Sequence, residues 1–177
     1  MKKTKTFKIA LGGICLALTV IFLFAGSIVP GIELTLFAIS SLFVAVMIIE
    51  SGVGAGVSLY IAAVILGTAL IPNKLAMIPY AFFFGYYGIL KFFMEKAGSA
   101  FLQIAMKAAF FALVLCVGLL GFKELLLGSI HLPDYPAWLL IIAGILIMLV
   151  YDYIYTLLIS FYMKRIKNRG ADNMKLS

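Results

Sequence analysis

Six long apolar runs, separated by short polar, proline or glycine breaks, make up most of this chain. Within each run hydrophobic residues continue over several helical turns, without the period-two alternation of a half-buried strand. Runs that approach about 20 residues are typical of helices that cross a lipid bilayer. The six predicted spans are about 9–29, 34–49, 53–71, 77–93, 101–122 and 137–163.

These runs predict an all-α polytopic membrane protein, with about six transmembrane helices in one bundle and residues 1–177 in a single integral membrane domain. A β-barrel would need alternating polar positions, and lipid offers no partner to unpaired backbone groups. The second run is the weakest span. We expect it to be tilted, or to form a tight hairpin with the third run through SGVGAG, residues 51–56.

Lysine and arginine lie mainly on one predicted face of the bundle. With six spans, the N-terminus, the loop between the fourth and fifth spans and the basic tail 164–177 share one side. The opposite side keeps only Lys74 and Lys123. The positive-inside rule therefore predicts a multi-pass protein of the cell membrane with both termini in the cytoplasm.

Composition agrees with a membrane protein. Of the 177 residues 65% are hydrophobic and 12% are charged, whereas a soluble domain has about 45–50% apolar and about 25% charged residues. The net charge of +7 does not indicate nucleic-acid binding, because the basic residues lie at the chain ends and between the apolar runs. Cys15 and Cys116 lie inside apolar runs, so we interpret them as packing or lipid-facing residues rather than a disulfide or metal pair.

Motifs of catalysis are missing from the sequence. It contains no HExxH, no CxxC, no nucleotide-binding loop and no Ser-His-Asp set. We therefore expect a protein that is not an enzyme and has no catalytic residue, no metal site and no cofactor. Because the chain has no ATP-binding element, the energy for any transport would come from a partner or a gradient.

One carboxylate interrupts the sixth run. Asp152 lies within VYDYIYTLL, residues 150–158, roughly 20 Å below the outer end of its helix at about 1.5 Å per residue. A charge at that depth costs about 2.5–3.5 kcal/mol, so Asp152 should face the bundle or a cavity. Two roles stay open: contact with a substrate or cation at a cavity floor, or a hydrogen-bonded lock between helices. The candidate partners from other spans are Lys107, Tyr86 and Tyr87.

Polar and aromatic residues of other spans extend this candidate cavity. Glu33 opens the second span, where a carboxylate also stabilises the helix N-terminus without any ligand. In the stretch 78–91, Gly85 and Gly88 form a smooth strip beside aromatic rings, which suits helix packing or stacking on a flat ligand. Glu33 and Asp152 together would suit a ligand with a positive group. The predicted substrate-binding residues are Glu33, Asn73, Tyr80, Tyr86, Tyr87, Trp138 and Asp152.

Small residues recur at four-residue spacing in two spans. The pairs are Gly13-x-x-x-Ala17 in the first span and Gly52-x-x-x-Gly56 at the start of the third. Such spacing lets helices approach closely, either within one chain or with a partner.

The whole layout resembles the substrate-binding S component of energy-coupling-factor (ECF) transporters. Shared features are a short chain, six spans, both ends inside, a basic N-terminus and a first span rich in alanine and glycine. GVGAGVSLYIAAVILGTAL is similar to the glycine-rich third span of that family, and VYDYIYTLLISFYMKRIKNR is similar to its last helix. The small-residue pattern of the family's first helix contacts the transmembrane coupling subunit. The resemblance therefore implies a partner-helix contact at Ala10, Gly13 and Ala17.

Two other groups share some of these features. The rod-shape protein MreD is similar in size and topology and serves a morphogenetic complex. A family of uncharacterised clostridial-type membrane proteins is similar in the stretch FFGYYGILKFFMEK, residues 83–96.

The resemblance to S components implies capture of a small molecule of vitamin or micronutrient type, with separate coupling and ATPase subunits to drive uptake. The alternative is a membrane scaffold without a ligand, MreD-like, whose Gly13/Ala17 face binds a partner in a cell-envelope complex. The expected partners are thus the bilayer, a small-molecule ligand and those subunits, and not nucleic acid. A transport component should have a polar-lined outer cavity of about 300–1,000 Å³, whereas a scaffold should be packed dry with Asp152 satisfied by its neighbours.

Overall fold

The structure is a computed structural model that describes residues 5–29, 31–96, 99–121 and 137–164. The described residues form helices and no strand, which confirms the all-α prediction for this part of the chain. The predicted outer loop before the last helix and the basic tail beyond residue 164 lie outside the described residues. The helices are α1 (Lys5–Ile28), α2 (Glu33–Ser51), α3 (Val53–Leu70), α4 (Lys74–Met94), α5 (Ala100–Gly121) and α6 (Ala137–Tyr162).

The turn between α2 and α3 is the tight hairpin that the sequence allowed. Gly52 is its only residue outside a helix, and its φ of 96° lies in a region that side chains disfavour. The Gly52 N–H donates to the Ile48 carbonyl at 2.9 Å and closes the end of α2. The second run is therefore a full helix to Ser51, slightly longer than the predicted 34–49.

Helix α4 changes its winding along its length. It begins with a 3₁₀ turn at Lys74–Ala76, passes through a π-helical turn at Tyr80–Phe84 and continues as regular α-helix over Gly85–Met94. The wide turn directly follows Pro79, which has no N–H to donate to the preceding turn. The π turn shifts the helical phase, and Tyr80, Phe83 and Phe84 all point into the core.

Helix α2 is the centre of the bundle. It packs against α1, α3, α4 and α6, while α5 packs on α6 and on α4. Helices α1 and α2 run antiparallel, since Gly12 near the start of α1 faces Met47 near the end of α2, and Gly26 near the end of α1 faces Phe37. The core is aromatic where α2, α4, α5 and α6 meet, and its fully buried rings include Phe37, Tyr80, Tyr87, Phe111 and Tyr155.

The outer surface of this bundle is apolar. Within the residues that the structure describes, five helices are long and apolar enough to cross a membrane, and the Phe101–Val117 part of α5 is a shorter apolar helix. Large hydrophobic side chains such as Phe82, Phe101 and Ile147 are mostly exposed, whereas the charged side chains of Lys91 and Asp152 are buried. This distribution, the inverse of that in a soluble protein, is compatible with a multi-pass membrane protein.

Candidate functional site: a buried ion network

Asp152 is held from two other helices. Its side chain lies in the interior, with the residue 9% exposed. Oδ1 accepts hydrogen bonds from the Tyr87 hydroxyl at 2.5 Å and from the Lys91 ammonium. Oδ2 accepts a hydrogen bond from Lys107 Nζ at 2.7 Å. Both carboxylate oxygens are therefore engaged by groups of α4 and α5.

The two lysines share a second carboxylate. Lys91 and Lys107 are only 2% and 7% exposed. Glu95 Oε1 lies 2.7 Å from Lys91 Nζ and 3.3 Å from Lys107 Nζ. Lys91 also donates to Thr156 Oγ1 at 2.8 Å. Two ammonium groups thus face two carboxylates, and the formal charges of this ion network cancel.

Local helix geometry brings these groups together. Tyr87, Lys91 and Glu95 are spaced four residues apart on α4, so they lie on one face of that helix. Asp152 and Thr156 have the same spacing on α6, and Thr156 Oγ1 donates to the Asp152 carbonyl at 2.8 Å. The regular α-helical part of α4 presents its row to α6, while Lys107 reaches in from α5.

Aromatic rings cover the network on the side away from Glu95. Tyr87 lies 5.5 Å from Tyr151 and 5.6 Å from Phe83 between ring centroids, and 5.7 Å from Phe111. Tyr155 crosses Tyr87 edge-to-face at 5.6 Å. Such contacts exclude water and leave the charges accessible mainly from the α4–α5 turn, where the Glu95 side chain is 40% exposed.

Two tyrosines tie this region to α2. The Tyr155 hydroxyl donates to the Ser41 carbonyl at 3.0 Å, and the Tyr151 hydroxyl lies 3.1 Å from Ser41 Oγ. Gly88 of α4 makes room for this contact, because a Cβ at its position would lie 2.6 Å from the Tyr155 hydroxyl. The ion network and these hydroxyl contacts together connect α2, α4, α5 and α6.

Of the predicted site residues, Tyr87 and Asp152 meet directly. Lys107 is the second predicted partner of Asp152 that makes contact, whereas Tyr86 contacts the rings of Tyr60 and Phe110 instead. Tyr80 is fully buried, and its hydroxyl has no hydrogen-bond partner among the described residues.

The remaining predicted residues lie at the opposite end of the bundle. Glu33 Oε2 accepts from the Gly31 N–H at 2.9 Å, and Asn73 Oδ1 accepts from the Leu75 N–H at 3.1 Å, so both brace local turns. Trp138 is 61% exposed near the start of α6. Among the described residues these side chains do not share contacts with Asp152, and the predicted acidic pair of Glu33 and Asp152 is not formed.

Sequence reasoning missed Lys91, Glu95 and Thr156. On sequence alone, Lys91 is grouped only with the basic residues near the loop between the fourth and fifth spans, and neither Glu95 nor Thr156 is singled out. The four-residue spacing from Tyr87 through Lys91 to Glu95 was the available signal, since it places all three on one helix face.

A groove of about 430 Å³ lies between α2, α4 and α6. Its lining is almost entirely apolar and includes Leu42, Phe84 and Met148, with the Tyr151 ring at one wall. This groove has the volume of a small-molecule cavity but lacks the convergent polar groups that orient a polar ligand.

Metal-binding and redox features are not evident in the part of the chain that the structure describes. No group of three or more His, Cys, Asp or Glu side chains is placed to hold a metal ion there. Cys15 and Cys116 are free thiols, and Cys15 is buried.

Comparison with known proteins gives no match to a family model, to a curated protein or to a solved structure.

Replacing Tyr87 by phenylalanine tests the neutral member of the network. The variant keeps the ring contacts but removes the hydroxyl that donates to Asp152. A hydrogen bond to a charged group contributes about 1.5–3 kcal/mol, and we expect the free energy of unfolding in mixed micelles to fall by that amount. The control is Tyr153→Phe, which removes the hydroxyl of a side chain that points away from the core and is 65% exposed, and should change the free energy of unfolding by less than about 0.5 kcal/mol. Equal effects of the two changes would contradict the assigned bond.

Proposed function

We propose that this protein is the substrate-binding membrane component of a small-molecule uptake system, and that α1 docks the separate coupling subunit that drives it. The proposal that α1 docks a coupling subunit rests on the open surface at Gly13. A Cβ at this position would meet nothing within 4 Å, and Ala10 and Ala17 are exposed on the same side of α1. A Cβ at the neighbouring Gly12, by contrast, would lie 3.4 Å from the Met47 side chain of α2.

Glycine is unfavourable in the interior of a helix unless the position requires the absence of a side chain. It lowers helix stability by roughly 0.5–1 kcal/mol relative to alanine. Gly26, Gly56 and Gly67 occupy such positions, because a Cβ at each would lie 2.7 Å or less from a side chain of the same bundle. A Cβ at Gly13 meets no atom of the described residues within 4 Å, and a smooth face of small residues suits close contact with a transmembrane helix of another protein.

The resemblance to S components supports the uptake part of the proposal. The contacts of Asp152 limit where a ligand could bind. Asp152 has both oxygens occupied by groups of its own chain, so its part in the proposal becomes that of a helix lock. Capture from outside would then depend on the opposite end of the bundle, where Glu33, Asn73 and Trp138 lie at the starts of three helices.

A second candidate function is a scaffold subunit without a ligand. The neutral, internally satisfied ion network favours it, since a dry lock at Asp152 is what a scaffold requires. Both candidates use the same α1 face and differ in the identity of the partner.

The test compares partners retained by the wild type and by Gly13→Leu, purified from the native host in a mild detergent. We expect the variant to fold normally and to lose most of its partner, because leucine adds bulk only to the open face. The matched control is Gly54→Leu, which adds the same side chain at another exposed glycine with nothing within 4 Å.

Each result of this comparison has a definite meaning. Selective loss of a coupling subunit and ATPases would support uptake, and selective loss of cell-envelope proteins would support the scaffold. Equal retention by the wild type and both variants would contradict docking through α1.

A further inference from the structure

We propose that the Glu95 end of the ion network is a binding site for a phosphate group, which enters by displacing the Glu95 carboxylate from Lys91 and Lys107. This inference is independent of the proposed function, because it concerns the opposite end of the bundle from the suggested substrate entrance and does not involve α1.

The two carboxylates of the network are held very differently. The Asp152 side chain is 12% exposed and uses both oxygens, against Tyr87, Lys91 and Lys107. The Glu95 side chain is 40% exposed and contacts both lysines through the single atom Oε1. Asp152 is thus a fixed, buried member of the network, whereas Glu95 lies at its solvent-accessible end.

Lys107 has donor capacity to spare. An ammonium group carries three N–H donors. Within the described residues Lys107 Nζ has two acceptors, Asp152 Oδ2 at 2.7 Å and Glu95 Oε1 at 3.3 Å, and the second distance is long for a charged pair. Lys91, in contrast, donates hydrogen bonds to Asp152 and Thr156 and forms an ion pair with Glu95 at 2.7 Å, so it has three polar partners. A ligand with more oxygen atoms than the Glu95 carboxylate could provide an acceptor for each N–H donor of Lys107.

A phosphate group has the required form. Both lysine nitrogens lie within 3.3 Å of the same oxygen atom, so a compact anion at that point reaches both. A phosphodiester carries one negative charge and would replace the Glu95 charge one for one, while Glu95 turns outward from the α4–α5 turn. Lysine binds phosphate as a point charge and does not need the planar fork of arginine.

The location offers two sources of this chemistry. The site lies near the end of α4 that the sequence predicts to face the cytoplasm, where anionic lipid headgroups gather at the membrane surface. Free inorganic phosphate reaches the same place from solution. Lys96, the next residue to Glu95, contacts the rings of Phe92 and Phe93 instead of the network and provides an internal comparison.

The experiment measures retained adducts and apparent dissociation constants by native mass spectrometry in an uncharged detergent. The probes are short-chain phosphatidylglycerol, short-chain phosphatidylcholine and inorganic phosphate. The variants are Glu95→Gln, Lys107→Gln and the control Lys96→Gln. A displaceable Glu95 that occupies the site about nine-tenths of the time lowers the apparent affinity about tenfold, so Glu95→Gln should bind about tenfold more tightly than the wild type.

We expect Lys107→Gln to lose this binding and Lys96→Gln to keep it within about twofold. Tight binding of phosphatidylglycerol alone identifies a lipid headgroup as the source, and tight binding of inorganic phosphate identifies a free anion. The proposal is overturned if Glu95→Gln, which keeps both lysines, binds no probe more tightly than the wild type. It is also overturned if Lys96→Gln weakens binding as much as Lys107→Gln does, since this would show general surface attraction.

Discussion

Asp152→Asn is expected to lower the free energy of unfolding by about 3–5 kcal/mol, the range typical of removing one partner from a buried ion pair. The change keeps the size of the side chain but leaves Lys91 and Lys107 buried with only Glu95 to balance them. An ammonium group that loses its buried carboxylate partner in an apolar interior is costly. Equilibrium unfolding in mixed micelles measures this loss directly.

The same substitution at a second carboxylate serves as the control, because it separates the loss of the buried network from a general effect of losing a negative charge. Glu33→Gln makes the same chemical change at the start of α2, where the carboxylate accepts one backbone hydrogen bond near the surface, and should cost less than about 1 kcal/mol. The double variant Asp152→Asn/Lys107→Gln restores neutrality and should recover more than half of the loss. A loss below about 1 kcal/mol for Asp152→Asn would show that the network does not stabilise the bundle.

Gly56→Leu is expected to destabilise the packing of α2 against α3. A Cβ at Gly56 would lie 2.3 Å from Ile48 Cγ1 and 3.5 Å from the Val44 carbonyl oxygen, so α2 and α3 must move apart to admit a side chain. Forced overpacking of this kind costs about 1–3 kcal/mol. The free energy of unfolding in mixed micelles is again the measurement.

The control for Gly56 lies two residues away on the same helix. Gly54→Leu introduces the same side chain where a Cβ meets nothing within 4 Å, and we expect a change of at most about 0.5 kcal/mol. Similar losses in both variants would show that adding a leucine side chain to α3 is destabilising in itself, and that the close contact between α2 and α3 at Gly56 is not the source of the effect.

The ion network also explains how the last two helices join the rest of the bundle. Helices α1, α2 and α3 pack closely on one another through small residues, whereas α5 and α6 pack mainly on each other. Lys91 of α4 and Lys107 of α5 meet at Asp152 of α6, so one carboxylate connects three helices. Loss of Asp152 is therefore expected to loosen α5 and α6 before it affects the contact of α1 with α2.

Much of the architecture was predictable from the pattern of apolar positions. The six runs correspond to the six helices of the described residues, with ends that differ by a few positions, because a long apolar run must be helical in lipid. The burial of Asp152 was predictable for a related reason, since a charge within such a run is too costly to face hydrocarbon. The contacts of Lys107 and Tyr87 with Asp152 were anticipated as candidates.

The partners of Asp152 as a set depend on tertiary structure. Lys91 lies about one turn before the end of α4. From the sequence alone, its side chain could equally well extend outward to the membrane surface or point into the bundle. It turns inward because α6 places a carboxylate within reach, a contact between residues 61 positions apart. Tyr80 and Tyr86 show the same dependence, since the π turn after Pro79 sets the phase of α4 and decides which rings enter the core. Helix formation is determined by local apolar sequence, whereas the pairing of charges depends on the angle and depth at which distant helices meet.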